Sequence, residues 1–87
     1  MERFSVDQSE ALKMIYMKFI FYFINEYFKI KNELGQETDE LEKFGDAINS
    51  YSNTVKDIMI YDKSQCDFMD NMRKVVWNAY DAVINSL

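Results

Sequence analysis

Carboxylates and one thiol are the side chains in this sequence that chemistry could use. Asp39, Glu42, Asp46, Asn49, Asn53 and Asp57 recur at 3-4-3-4-4 spacing, which lines them along one side of a helix. Asp62, Asp67 and Asp70 carry the acidity onward. Asp67 and Asp70 come nearest to a pair suited to general acid–base work. Such work needs a cleft that perturbs their pKa values, and a short helical chain offers no evident one. Cys66 is the single cysteine, so it has no partner for an internal disulfide and no companions for a thiolate zinc site. A position near a helix start would favour its thiolate, but it reads more simply as a structural thiol.

The count of His is 0. That removes the usual general base, the commonest metal ligand and every Ser-His or Cys-His nucleophile pair. The sequence contains no D-x-D-x-D-G calcium loop, and a di-iron bundle site would require Glu-x-x-His pairs. The expectation is a protein that is no enzyme and holds no metal or cofactor. Its carboxylates would act by meeting another macromolecule.

Charge narrows that partner. Ten Lys and Arg against fifteen Asp and Glu give −5 and a pI near 4.6, the wrong sign for gripping phosphate, so nucleic acid is not expected as a ligand. Residues 1–34 hold five acids and five bases, whereas residues 35–87 hold ten acids and five bases and carry the whole deficit. Solvated helix faces ordinarily mix both signs. A mostly acidic row with interspersed amides suits a basic protein surface, through steering and charge-assisted hydrogen bonds.

Three helices must position these groups. Apolar period and caps predict them at about 6–34, 39–61 and 65–86, within one domain spanning 1–87. Ser5-Val6-Asp7-Gln8 fits a capping box opening the first, and Gly35 a stop closing it. Leu12, Tyr16, Phe19, Phe23, Tyr27, Ile30 and Leu34 form its inward stripe. Thr38 caps the second, where Leu41, Phe44, Ile48, Tyr51, Val55 and Ile58 repeat at 3-4-3-4-3 spacing, a coiled-coil-like seam. Gly45 and the run Ser50, Ser52, Asn53 and Thr54 are poor helix formers, so a bend or fraying is expected there. Ser64 is the expected cap of the third helix, whose inward stripe is Met69, Met72, Val76, Ala79 and Val83. Short connections imply antiparallel neighbours. The expected fold is all-α, an antiparallel up-down-up three-helix bundle.

The first helix is unusually rich in rings. Seven of the fourteen aromatic residues lie between Tyr16 and Phe28, and Met17, Phe21, Ile24 and Phe28 form a second stripe beside the inward one. Burial in the groove between the other helices would account for a broad apolar face. A second copy or a partner helix is the alternative account, and Trp77 and Tyr80 add a similar surplus on the third helix. Residues 14–24 read MIYMKFIFYFI, but Lys13, Lys18, Glu26, Lys29 and Lys31 interrupt the wider window. A membrane span needs about 20 mostly apolar residues, so none is expected. No secretory signal follows Met1, and the single cysteine suits a reducing, cytoplasmic setting.

These features together suggest a small acidic inhibitor that blocks the active site or nucleic-acid-binding surface of a basic protein. Bacterial immunity proteins against nuclease toxins have this general character, and phage-encoded antidefence inhibitors share it. The alternative is a helical chaperone or structural subunit of a secretion-type assembly. Ser52-Asn53-Thr54-Val55-Lys56 resembles a stretch in type III secretion needle subunits, over five residues and without the proline-bearing turn of those proteins.

Overall fold

Ser5 opens the first helix. In a computed structural model that describes residues 2–87, its extended backbone (φ −68°, ψ 168°) turns into α1, Val6–Leu34. The Ser5 hydroxyl accepts from the Gln8 amide at 3.1 Å, and Gln8 Oε1 accepts from the Ser5 amide at 2.9 Å. This reciprocal box satisfies two donors that the first turn leaves without intrahelical partners. Gly35 ends α1 in the left-handed region (φ 68°), its amide donating to the Lys31 carbonyl at 2.9 Å. A side chain at that φ would be strained, which is why glycine stands there.

The second helix, α2, covers Asp39–Asp57 and the third, α3, covers Lys63–Ser86. Thr38 caps α2 through its hydroxyl, 3.2 Å from the Leu41 amide. Asp39, Glu40 and Glu42 fill its first turn, where negative charge favours the dipole. Two boundaries differ from the periodicity. The apolar seam suggests a helix to residue 61, yet α2 stops at Asp57 and Ile58 is extended (φ −88°, ψ 117°). Asp62, not Ser64, caps α3. Its Oδ1 accepts from the Gln65 amide at 2.9 Å, and Gln65 Oε1 accepts from the Asp62 amide at 3.0 Å. An acid followed three residues later by Gln makes both halves of the box, which Ser64 followed by Asp67 does not.

The early end of α2 is explained by Tyr61. Its ring is fully buried, its amide donates to the Ser9 hydroxyl at 3.0 Å, and its carbonyl accepts from the Phe4 amide at 2.8 Å. Continuing the helix would forfeit all three. The 58–62 connection therefore lies against the start of α1. At the opposite end the Tyr27 hydroxyl donates to the Glu37 carboxylate at 3.1 Å, and Tyr80 donates to Glu26 at 3.2 Å. These contacts fix the directions: α1 and α3 run one way and α2 the other, an up-down-up three-helix bundle 46 Å long and 17 × 16 Å across.

Leu41, Phe44, Ile48, Tyr51 and Val55 of α2 are buried against Tyr16, Ile20, Phe23 and Ile30 of α1 and Met69, Val76 and Val83 of α3. Among the described residues no α1 Cα lies within 8 Å of an α3 Cα. Rings span that gap instead. Phe23 meets Trp77 edge-on at 5.0 Å, Tyr22 reaches Trp77 at 5.9 Å, and the Arg73 guanidinium sits 4.8 Å over Phe19.

Tyr51 is the exception to good pairing. It is 1% exposed, and its hydroxyl has no hydrogen-bond partner among the described residues. A buried, unpaired hydroxyl costs about 1–3 kcal/mol, so Tyr51→Phe is expected to raise the urea midpoint of unfolding. A lower midpoint would show that the hydroxyl is satisfied in solution.

Candidate functional site

The acidic row occupies the outer side of α2. With Leu41, Phe44, Ile48, Tyr51 and Val55 turned inward, the helical period turns Asp39, Glu42, Asp46, Asn49, Asn53 and Asp57 outward, and all six are exposed. None of its four carboxylates forms an ion pair within 4 Å among the described residues. Lys43 flanks Asp39, Glu42 and Asp46 without closing one.

The other three acids are occupied locally. Asp62 is half-buried and caps α3. Asp67 lies 3.5 Å from Lys63, and Asp70 lies 3.5 Å from Arg73. They continue the negative field but are not brought together with the α2 row as one set of open carboxylates.

An open groove runs beside that row, between α1 and α2. Ile24, Tyr27 and Phe28 form one wall and Gly45, Ile48 and Asn49 the other, with Asp46 at the lip. Gly45 makes the close approach of the two helices there. A Cβ on it would lie 3.0 Å from Tyr27 Cε2, tighter than ordinary van der Waals contact. The helix runs unbroken through Gly45 and on to Asp57, so the expected fraying is absent. Packing against Tyr27 compensates the weak propensity.

The apolar candidates separate into two groups. Phe21 and Phe28 are exposed, and Met17 and Ile24 beside them are half-buried. Trp77 and Tyr80, half-buried, sit in the α1–α3 seam. Trp77 packs on Phe23, and Tyr80 lies 5.5 Å from Phe44.

Sequence reasoning passed over a buried polar cluster around Tyr61. Tyr16 lies 5.6 Å from Tyr61 and 6.4 Å from Tyr51, ring to ring. Burial, then the neighbouring half-buried Cys66 thiol, pushes the Tyr16 hydroxyl well above its ordinary value. Burial takes Tyr51 up to about 12. Burial and the Glu26 charge take Tyr80 up to about 12. Tyrosines held protonated in this way are hydrogen-bond donors and packing groups, not bases near neutrality. An aromatic residue at the very end of the predicted second helix, as Tyr61 is, was the available signal for this cluster.

Among the described residues no three His, Cys, Asp or Glu side chains are grouped to hold a metal ion, and no helix is long and apolar enough to cross a membrane. No protein-family model matches the chain, and the searches of curated proteins and of solved structures return no match.

Proposed function

We propose that the chain is a small acidic inhibitor that docks the outer side of α2 onto a basic protein and acts by obstruction. The observation that supports this reading is the unpaired state of Asp39, Glu42, Asp46 and Asp57. All four are exposed on one helix side, while the ion pairs of the described residues form elsewhere. Four like charges on one face repel one another, and a cationic surface relieves that repulsion. The adjoining groove gives the partner's contact an apolar centre beside its charged rim, the usual anatomy of a specific interface.

A nuclease must present Lys and Arg to grip phosphate. A row of carboxylates at helical spacing occupies the same groups and keeps the nucleic acid out. Within this class an immunity protein that neutralises a bacterial nuclease toxin in the cytoplasm is the reading preferred here, with an antidefence inhibitor using the same surface. A helical subunit or chaperone of a secretion-type assembly is the second reading, favoured by the exposed rings Phe21 and Phe28.

Affinity capture from the source cell tests the proposal. The wild-type chain is expected to retain a basic protein at low salt and release it as salt rises, because an exposed charged interface is screened. Glu42→Lys with Asp46→Lys is expected to weaken that complex by more than about 2 kcal/mol with an unchanged far-UV circular dichroism spectrum. Full affinity in the double variant would remove the acidic row as the site.

A further inference from the structure

We propose that the outward face of α1 joins a second copy of this chain, the two α1 helices running antiparallel about a two-fold axis at Phe21. Met14, Phe21 and Phe28 are 64%, 57% and 55% exposed and stand seven residues apart, so they form one nearly axial row. The row is symmetric. Met14 and Phe28 are equally far from Phe21, so a dyad there sets Phe21 against its counterpart and Met14 against Phe28 of the second copy.

The relief of α1 repeats this symmetry. One depression lies among Glu10, Lys13, Met14, Met17, Lys18 and Phe21. Its first four members are the i, i+3, i+4, i+7 hole that receives a knob in helix packing, and the dyad brings Phe28 of the second copy to it. A second depression lies among Phe28, Lys31, Asn32, Gly35 and Gln36. The dyad brings the Glu10 carboxylate of the second copy there, beside the Lys31 ammonium and the Asn32 amide. Both depressions follow from one register.

Charge favours the same choice of helix. Residues 1–34 are neutral, with five acids and five bases, while residues 35–87 carry the whole −5. Copies joined through α1 meet on their neutral helices, whereas copies joined through α2 would bring two acidic rows together. The row from Met14 to Phe28 runs along the 46 Å axis of the molecule, so the pair would meet along its longest side. The pairing uses none of the α2 carboxylates of the inhibitor reading, although Phe28 also lines the groove of that reading; mass in solution tests the pairing and salt-sensitive capture tests the inhibitor, so either can fail alone.

Mass and cross-linking test it. Sedimentation equilibrium of the unaltered chain is expected to give twice the monomer mass of 10.4 kDa. Phe21→Asp, which sets two carboxylates face to face at the dyad, is expected to weaken association at least ~100-fold with helicity retained. In a Cys66→Ser background, mild oxidation is expected to join Phe21→Cys chains, and also chains bearing Met14→Cys with Phe28→Cys. Neither Met14→Cys nor Phe28→Cys alone should cross-link. A monomer at sub-millimolar concentration overturns the proposal, including one whose α1 face binds anionic lipid vesicles instead. Cross-linking by Met14→Cys alone, the mark of parallel helices, overturns it too.

Discussion

Phe23→Ala is expected to lower the free energy of unfolding by about 3–5 kcal/mol. Phe23 is 0% exposed and touches all three helices. Its ring stands edge-on to Phe44 of α2 at 6.2 Å and to Trp77 of α3 at 5.0 Å, with Tyr22 of its own helix at 5.7 Å. Because the α1 and α3 backbones stay apart, truncation here removes both the transfer energy of the ring and a spacer that nothing smaller can replace. The neighbouring rings are themselves packed, so the void cannot simply close. For a domain of 87 residues the whole stability is roughly 4–13 kcal/mol, and the substitution consumes a large share of it. Urea unfolding followed at 222 nm measures the loss. Met59→Ala, at a position 75% exposed, is the control and should stay within about 0.5 kcal/mol of the parent. A Phe23→Ala loss below about 1 kcal/mol would mean that the α1–α3 seam is far looser than described.

Alkaline unfolding is the second large effect. The hydroxyl of Tyr51 ionises near 10 in the unfolded chain and is raised to about 12 by burial in the folded one. Tyr80 is raised to about 12, and Tyr16, Tyr27 and Tyr61 move in the same direction. Between these limits the folded state binds more protons than the unfolded one, so stability falls as pH rises. The contribution is fully present below pH 10 and is lost progressively toward 12. Two units at the buried Tyr51 are worth on the order of 2–3 kcal/mol, and the other tyrosines add to the slope. In a Tyr22→Phe background, which removes the one exposed phenol, circular dichroism at 222 nm and tyrosinate absorbance at 295 nm should therefore change together above pH 10. Tyrosinate absorbance that develops with the helices intact would contradict the burial of these hydroxyls. In Tyr51→Phe the midpoint of the alkaline transition should move to higher pH.

How far the sequence could be read depended on whether a feature was local. The α1 capping box is complete within Ser5 to Gln8, and both of its bonds form as expected. The α2 seam is a repeat of side chains on one face, and five of its six members are buried. The inner end of that seam was illegible because periodicity carries no information about where the chain must turn. Tyr61 decides the turn, through a bond to Ser9 that spans 52 positions, and no local pattern announces such a contact. Gly45 is similar. Propensity alone suggests a weak point, while the Tyr27 ring against it comes from another helix.

The candidate site divides along the same line. Helical spacing was enough to put Asp39, Glu42, Asp46, Asn49, Asn53 and Asp57 on one exposed side. It could not show that Asp62 caps α3 or that Arg73 engages Asp70, since both follow from where α3 begins. Nor could it separate Trp77 and Tyr80, which tie α1 to α3, from Phe21 and Phe28, which face outward. All four are aromatic residues beyond the main stripes, and only the third helix's position distinguishes them.

That position leaves the chain with a built-in optical gauge. Its single indole, Trp77, lies at the one seam where backbones do not touch, flanked by Tyr22 at 5.9 Å and Tyr80 at 5.7 Å. Tyr80 shares α3 with the indole and stays beside it in any case, whereas light absorbed by Tyr22 of α1 finds the indole at 5.9 Å only while the first helix rests against the other two. The emission colour of one residue thus reports whether the long helix is seated or has swung away.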